Sequence, residues 1–378
     1  MIRTVLAAGL AMAMVMTISA AARAAYIEQE FKEPPPARKG DVVRPRPPLP
    51  PEPIARNHVP ELATTLDRLE IRRPLVCGRL VVYPLAIRGG AGGPGGTWWT
   101  MDAALAKGVL TVSERGDGGT VPFVVMENSS RSDHVFIMAG EVISGGKQTR
   151  TVRQDVILAP GQRADVPVFC VEQHRWKGEA AFSGAGLLVP QSVQKEMRKG
   201  ADQAAVWSEV GRANAALSVA PATGTIEAGY KSAPVQRELD EVRRAILPEA
   251  PADAVGYIFA DRHAGRALGI ELFGRTDLAQ ALLGKLIDAY AVDLVVPMRE
   301  RSDSRLRHRP PDDDLARAFL ERLRRAGSDR GDTPSSGAGI RLRAADLVGG
   351  GVSIDGRLVH FGCQAEERMV PMPMPEPR

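Results

Sequence analysis

Beyond residue 70 the chain alternates short apolar runs with turn-forming residues. The runs are rich in Val, Ile and Phe, a pattern that is typical of β-strands separated by tight turns. Glycine and proline mark the turns between them. The predicted strands occupy 75–85, 109–112, 121–127, 134–139, 149–158 and 164–172. We therefore expect an antiparallel β-rich domain over about 71–176.

After residue 182 the apolar residues recur with the period of an α-helix. Ser192 can cap a long helix with two apolar stripes, which predict two buried faces, and a second helix follows Ser232. A hairpin is predicted over 255–273, then a third helix from Asp277, and C-terminal strands over 340–362 that could return to the sheet. The expected fold class is α+β, in which the β-rich domain precedes a helical segment with an additional β-hairpin and C-terminal strands.

Composition and periodicity together divide the chain into six parts. Prolines crowd the stretch between residues 34 and 53, where each one removes a backbone donor and fixes φ, so that stretch is predicted to be an extended tether. The parts are a signal peptide at 1–24, a Pro-rich tether at 25–70, a main α+β domain at 71–295, a polar linker with a short helix at 296–339, C-terminal strands at 340–368 and a tail at 369–378.

The amino terminus has the pattern of a cleavable secretory signal. Arg3 supplies a positive charge, an apolar run follows over 6–18, and Ala22-Arg23-Ala24 fits the small-x-small site of signal peptidase. The run is shorter than the ~20 residues that a spanning helix needs, although a membrane anchor is the alternative. We expect cleavage near Ala24, no membrane span afterwards, and a periplasmic or secreted protein.

Composition limits the remaining possibilities. The chain is 44% hydrophobic and 25% charged, which excludes disorder of the whole chain. The formal net charge of +4 comes from scattered basic residues, so no nucleic-acid partner is expected. Cys77, Cys170 and Cys363 lack metal-ligand spacing, so neither a metal nor a cofactor is predicted. An oxidising compartment would permit one disulfide, and buried free thiols are the alternative for Cys77 and Cys170.

The densest polar cluster lies in the segment 140–150. Two adjacent glycines permit a tight turn, and Lys147, Gln148 and Arg150 follow with side chains suited to anionic oxygens. If a strand begins at Thr149, alternation places Lys147 and Arg150 on opposite faces. The alternative is a hairpin turn with solvated charges. The spacing is not that of a phosphate-binding P-loop.

A second cluster lies where the apolar strand 164–172 ends. Glu172 could act as a general acid or base, Arg175 could clamp an anion, and Trp176 could stack on a ligand. The alternative is an ion pair between Glu172 and Arg175, with Trp176 packed over the edge of the domain. His174 is expected to be exposed. The common signatures of serine hydrolases and zinc proteases are missing from the sequence.

These two clusters give the chain a resemblance to a bacterial family, the ARG and Rhodanese-Phosphatase-superfamily-associated protein domain family. The name refers to ADP-ribosylglycohydrolase, so the resemblance implies ligands related to ADP-ribose or nucleotides. Thr149 and His174 depart from the pattern, which would place Asn and Gly there. The resemblance rests on 119–128 (GTVPFVVMEN), 140–150 (GEVISGGKQTR), 166–176 (VPVFCVEQHRW) and, more weakly, 268–290 (LGIELFGRTDLAQALLGKLIDAY).

Three functions remain open from the sequence. The first is binding of an anionic small molecule, such as a sugar phosphate or an ADP-ribose-like compound, in a pocket built from the 140–150 turn and the 172–176 loop. The second is hydrolysis with Glu141 or Glu172 as general acid or base, and Glu114 could face the same cleft. The third is a structural or interaction role in the envelope, with an unknown protein partner. The first hypothesis requires the two segments to converge in space.

Overall fold

The computed structural model describes residues 58–116, 122–178, 180–300 and 313–366. The predicted signal peptide, the tether up to residue 57 and the tail lie outside the described residues. None of the described helices is both long and apolar enough to cross a membrane.

The described residues form strands and helices in an α+β arrangement, as the sequence predicted. The strands are β1 Leu69–Ile71, β2 Leu75–Cys77, β3 Leu80–Ile87, β4 Trp98–Thr100, β5 Leu110–Glu114, β6 Phe123–Asn128, β7 His134–Ile137, β8 Glu141–Gly145, β9 Arg150–Val152, β10 Val156–Leu158, β11 Arg163–Cys170, β12 Phe182–Leu188, β13 Gly256–Asp261, β14 Arg266–Phe273, β15 Gly327–Gly331, β16 Ala338–Arg343, β17 Leu347–Ile354 and β18 Arg357–Ala365. The α-helices are α1 Pro60–Asp67, α2 Met101–Ala106, α3 Gln191–Arg198, α4 Gln203–Ala216, α5 Ile226–Lys231, α6 Ala233–Ile246, α7 Thr276–Glu300 and α8 Asp313–Arg325.

A large antiparallel sheet joins strands from both ends of the described chain. Its order is β1-β3-β13-β14-β18-β17-β16-β15, and β2 pairs with β3. All eight residues of β3 are buried, which fits its nearly continuous apolar sequence LVVYPLAI. The predicted hairpin is β13 and β14, and β18 pairs directly with β14. The C-terminal strands therefore belong to the same sheet as the strands that precede α7.

A second sheet of six strands closes on itself. Its order is β12-β8-β9-β11-β6-β5, and an isolated bridge links Ser113 of β5 to Ala181, which directly precedes β12. The interior is filled by apolar side chains, as expected for a closed sheet with few strands. They include Val112, Met126, Ile143, Val152, Val166 and Phe182. A third sheet, β10-β7-β4, contributes Val135, Ile137, Val156 and Leu158 to the same core.

Some elements differ from the sequence prediction. The long helix predicted after Ser192 is two helices, because Gly200 adopts a φ of +82° after α3 and Asp202 caps the amino terminus of α4. The strand predicted over 149–158 is interrupted between β9 and β10. Strand β15 and the end of α7 at Glu300 both lie in the segment 296–339 that was predicted as a polar linker. Local periodicity alone did not indicate these boundaries.

Candidate functional site

One end of the closed sheet collects both polar clusters. Because neighbouring strands are antiparallel, strand ends and strand starts meet at the same edge. The terminal strand residues at this edge are Glu114 (last of β5), Gly145 (last of β8), Arg150 (first of β9), Cys170 (last of β11) and Phe182 (first of β12).

The 140–150 turn and the 172–176 loop contact each other directly. The Thr149 amide donates a hydrogen bond to the Glu172 carboxylate at 2.9 Å, and the Gln148 side chain donates to the Gln173 carbonyl at 3.4 Å. The two segments therefore converge, as the first functional hypothesis requires. Gln148 and Thr149 are buried, so their polar groups serve this contact between the segments.

Arg175 fastens the loop to the turn. Its guanidinium contacts the Glu172 carboxylate at 2.7 Å and donates to the carbonyl oxygens of Gly145 and Gly146 at 3.2 and 2.9 Å. It also donates to the Lys177 carbonyl at 2.8 Å. These acceptors occupy the N–H donors of the Arg175 guanidinium group. The sequence suggested that Arg175 binds an anion, whereas in the structure its guanidinium group links the two segments.

Glu172 is held as a carboxylate. Burial alone would raise its pKa, but hydrogen bonds from Arg175, Thr149 and Thr223 outweigh burial and lower the pKa of Glu172 to about 2. A carboxyl with that pKa is ionised at neutral pH and has no proton to donate. The ion pair between Glu172 and Arg175, which the sequence left open as the alternative, is present in the structure.

Arg150 forms a buried ion pair with Glu114. One terminal nitrogen of Arg150 donates to both oxygens of the Glu114 carboxylate at 3.0 Å, and the side chains are 0% and 1% exposed. Glu114 also accepts a hydrogen bond from the Lys147 amide at 2.9 Å. Glu114 therefore holds both the Arg150 side chain and the 140–150 turn in place. The pair lies at the end of the closed sheet, where the apolar core gives way to the polar surface.

Two glycines allow close packing around the turn. Gly146 has a φ of +51°, and a Cβ there would lie 2.1 Å from the Phe182 ring of β12. A Cβ on Gly178 would lie 2.0 Å from the Gly146 carbonyl oxygen. A larger residue at 146 would push the turn away from β12, and one at 178 would push the chain after the loop away from the turn, so both glycines are a steric requirement of this end of the sheet.

Trp176 is the exposed feature of the site. Its ring is the most exposed of the large hydrophobic side chains in the described residues, at 48%. The Lys147 ammonium lies 5.6 Å from the ring centroid, and the Arg150 guanidinium lies 5.9 Å from it. Both distances are within the range of a cation–π contact. The condition for placing Lys147 and Arg150 on opposite faces, a strand that begins at Thr149, is not met, because β9 begins at Arg150.

Glu141 lies away from this group. Its side chain is fully buried, accepts a hydrogen bond from the Met138 amide at 2.9 Å, and pairs with Lys285 of α7 at 2.6 Å. Lys285 also contacts Asp102 at 2.6 Å. Burial raises the pKa of Glu141 above its ordinary value in spite of Lys285. Glu141 therefore joins α7 to the closed sheet and does not share the Trp176 surface with the other predicted residues.

Glu227 is a residue of the site that the sequence analysis did not single out. It comes from α5, and its carboxylate accepts hydrogen bonds from the hydroxyls of Thr149 and Ser144. It also pairs with Lys231 one turn further along the helix. Nothing local in the sequence connects a helix around residue 230 with a turn around residue 147, so only the fold reveals this contact.

The cysteines do not add reactive chemistry to the site. All three are free thiols, and Cys170 and Cys363 are buried. Burial raises the pKa of the Cys170 thiol to about 11, which keeps it protonated and unreactive at neutral pH. Within the described ranges, no group of three or more His, Cys, Asp or Glu side chains is arranged to hold a metal ion.

Comparison with known proteins places the chain in a family. No curated protein and no solved structure shows significant similarity to the chain. A family model matches residues 68–363, which include both polar clusters and extend from the first strand nearly to the end of the last one. The chain belongs to the ARPP-1 family, described as the ARG and Rhodanese-Phosphatase-superfamily-associated Protein domain.

Proposed function

We propose that the surface formed by Lys147 and Trp176 binds an anionic small molecule of the sugar-phosphate or ADP-ribose type. The observation that supports it best is the exposed Trp176 ring with the Lys147 ammonium 5.6 Å from its centroid. An aromatic face offers a stacking platform for a sugar or a base, and the adjacent ammonium favours a negatively charged group.

A second lysine–tryptophan contact in the protein shows what is particular to this surface. The Lys107 ammonium lies 4.2 Å from the centroid of the Trp99 ring, but the indole nitrogen of Trp99 donates to the Asp133 carboxylate at 3.0 Å. A carboxylate beside the ring repels an anionic ligand. The Lys107–Trp99 contact is therefore unsuited to binding an anion.

The positions of the carboxylates support binding better than hydrolysis. Acid–base catalysis needs a carboxyl group with a pKa near the working pH, within reach of the substrate. Glu172 is ionised and tied to Arg175, and Glu141 is enclosed with Lys285 in another part of the molecule. We therefore assign Glu172 to holding the loop and Glu141 to joining α7 to the sheet, and we propose no catalytic step.

Calorimetric titration of the full chain tests the proposal. The ligands are ADP-ribose, ADP, glucose 6-phosphate and glucuronate, and at least one of them is expected to bind saturably. Lys147→Gln removes the cation, and Trp176→Ala removes the platform. Each change is expected to weaken binding by about tenfold or more, because a hydrogen bond to a charged group contributes about 1.5–3 kcal/mol and stacking of a base on an aromatic ring contributes about 1–3 kcal/mol.

Lys107→Gln is the matched control, since it removes the lysine from the other lysine–tryptophan contact. It should leave the affinity unchanged. Absence of binding heat with all four ligands would contradict the proposal. Equal affinity of the wild type and Lys147→Gln would contradict it as well, because binding would then not involve this surface.

We also propose that the protein is exported to the periplasm or secreted. The support is the sequence of the amino terminus, with Arg3, the apolar run at 6–18 and the Ala22-Arg23-Ala24 site. Expression of the full chain in a Gram-negative host, followed by fractionation and amino-terminal sequencing, tests this. A periplasmic or extracellular product beginning near Ala25 is expected. A cytoplasmic product that retains residues 1–24 would contradict export.

A further inference from the structure

A glycine-rich loop at 89–96 connects β3 to β4 and is held by arginines from distant parts of the chain. Arg68, which follows α1, donates to the Gly90 carbonyl at 3.1 Å. Arg357, at the start of β18, donates to the Gly92 carbonyl at 3.2 Å. The sequence GGAGGPGG alone indicates only a turn, and the proposed function makes no use of it.

A cavity of about 180 Å³ lies beside this loop. Its walls include Arg68 and Thr64 from the region of α1, Gly92 from the loop, and Arg357 from β18. The two arginines thus reach the cavity from separate elements. Its volume is sufficient for a small ion and too small for a compound of the size of a dinucleotide.

The charges around this cavity leave it positive. No carboxylate of the described residues lies within 4.0 Å of the Arg68 or Arg357 guanidinium. Glu61, which also lines the cavity, is bound by Arg330 through both of its oxygens. Its negative charge is therefore largely compensated.

Each arginine also keeps donors that its bonds to the loop do not use. Arg68 contacts the backbone through Nε and Nη2, which leaves Nη1, and Arg357 contacts it through Nη1, which leaves Nη2 and Nε. Donors that come from two separate elements suit an anion whose oxygens point in several directions.

We propose that the cavity between Arg68 and Arg357 is a second binding site, which takes a phosphate ion or the phosphoryl group of a small metabolite. Arg68 and Arg357 supply charge-assisted hydrogen bonds to its oxygens, and Thr64 contributes a hydroxyl to the wall. This site is separate from the Trp176 surface, and it does not depend on the proposed function.

Calorimetry of the full chain with inorganic phosphate and with glycerol phosphate tests this proposal. We expect saturable binding of at least one ligand, and a loss of affinity of about tenfold or more in Arg357→Gln. Tighter binding of glycerol phosphate would identify a phosphoryl ester as the preferred form, and tighter binding of inorganic phosphate would identify the free ion. Arg357 is exposed and its substitution leaves Arg68 to hold the loop, so the variant is expected to fold.

Two further variants make the result specific. Arg237→Gln removes an exposed arginine of α6 that donates to the Ala233 carbonyl of its own helix, and it should bind phosphate as the wild type does. Lys147→Gln should also bind phosphate normally. No binding by the wild type would overturn the proposal. Phosphate binding that Lys147→Gln abolishes and Arg357→Gln leaves intact would also overturn it, because the ion would then occupy the Trp176 surface.

Discussion

Replacement of Glu114 by alanine should strongly destabilise the protein. The change removes the carboxylate that accepts hydrogen bonds from the buried Arg150 guanidinium through both of its oxygens, and it removes the acceptor of the Lys147 amide. Arg150 is 0% exposed, so water cannot replace the lost partner without opening the end of the closed sheet. Breaking a buried ion pair in this way costs about 3–5 kcal/mol, because the remaining buried charge loses the carboxylate that offsets its removal from water.

Urea unfolding followed by circular dichroism measures this cost. Unfolding slopes in urea are about 1–3 kcal/mol per molar, so a loss of at least 3 kcal/mol lowers the midpoint by about 1 M or more. Asp165→Asn is the matched control, because the Arg115–Asp165 pair is next to Glu114 in the chain but its side chains are 49% and 44% exposed. An exposed pair contributes about 0–1 kcal/mol, so this control should change little. Similar midpoints for Glu114→Ala and the wild type would refute the reasoning about the buried pair.

Three further outcomes follow from the geometry. Gly146→Ala should cost about 1–3 kcal/mol in the same assay, because its Cβ would overlap the Phe182 ring; an unchanged midpoint would contradict the packing. Burial alone would lower the pKa of His360, but Asp155 and a second carboxylate raise it to about 9. Stability should therefore fall as the pH rises from 6.5 through 9. NMR should show a protonated His360 imidazole at pH 7.5, and a neutral imidazole would contradict the reasoning. The lowered pKa of Glu172 contributes stability above pH 4.5 that is lost as the pH falls towards 2, and carboxyl NMR titration should show an ionised Glu172 at pH 3.5, which a protonated group would contradict.

The sequence predicted the elements better than their assembly. Apolar alternation located most strands between residues 71 and 176, and the helical period located the helix after Ser232, which is α6. These patterns reflect which side chains face a core. They do not specify partners: the C-terminal strands were expected to return to the sheet, but the pairing of β18 with β14, and that of β3 with β13, was not indicated. Pairing between distant strands depends on the complete topology.

For the candidate site, too, the sequence predicted the components better than their contacts. The chemistry of the residues suggested that the two polar segments belong together, and hydrogen bonds such as Thr149 to Glu172 join them. The roles of individual charges depended on partners that are far away in the chain. Arg150 is bound by Glu114, and Arg175 bonds to backbone carbonyls that no sequence pattern reveals. The sequence identified Lys147, Arg150 and Arg175 as ligand-binding cations. In the structure, Lys147 lies over the exposed Trp176 ring, whereas Arg150 and Arg175 hold the structure together.

The central claim, an anion site at Trp176, is tested most directly by the indole N–H signals of the protein. The four tryptophans give four indole resonances, and loss of one signal in Trp176→Phe assigns the resonance of Trp176. Addition of a ligand that binds in calorimetry should shift this resonance more than the other three and saturate at the same concentration. An unchanged Trp176 signal at saturation, with shifts confined to other residues, would contradict the site.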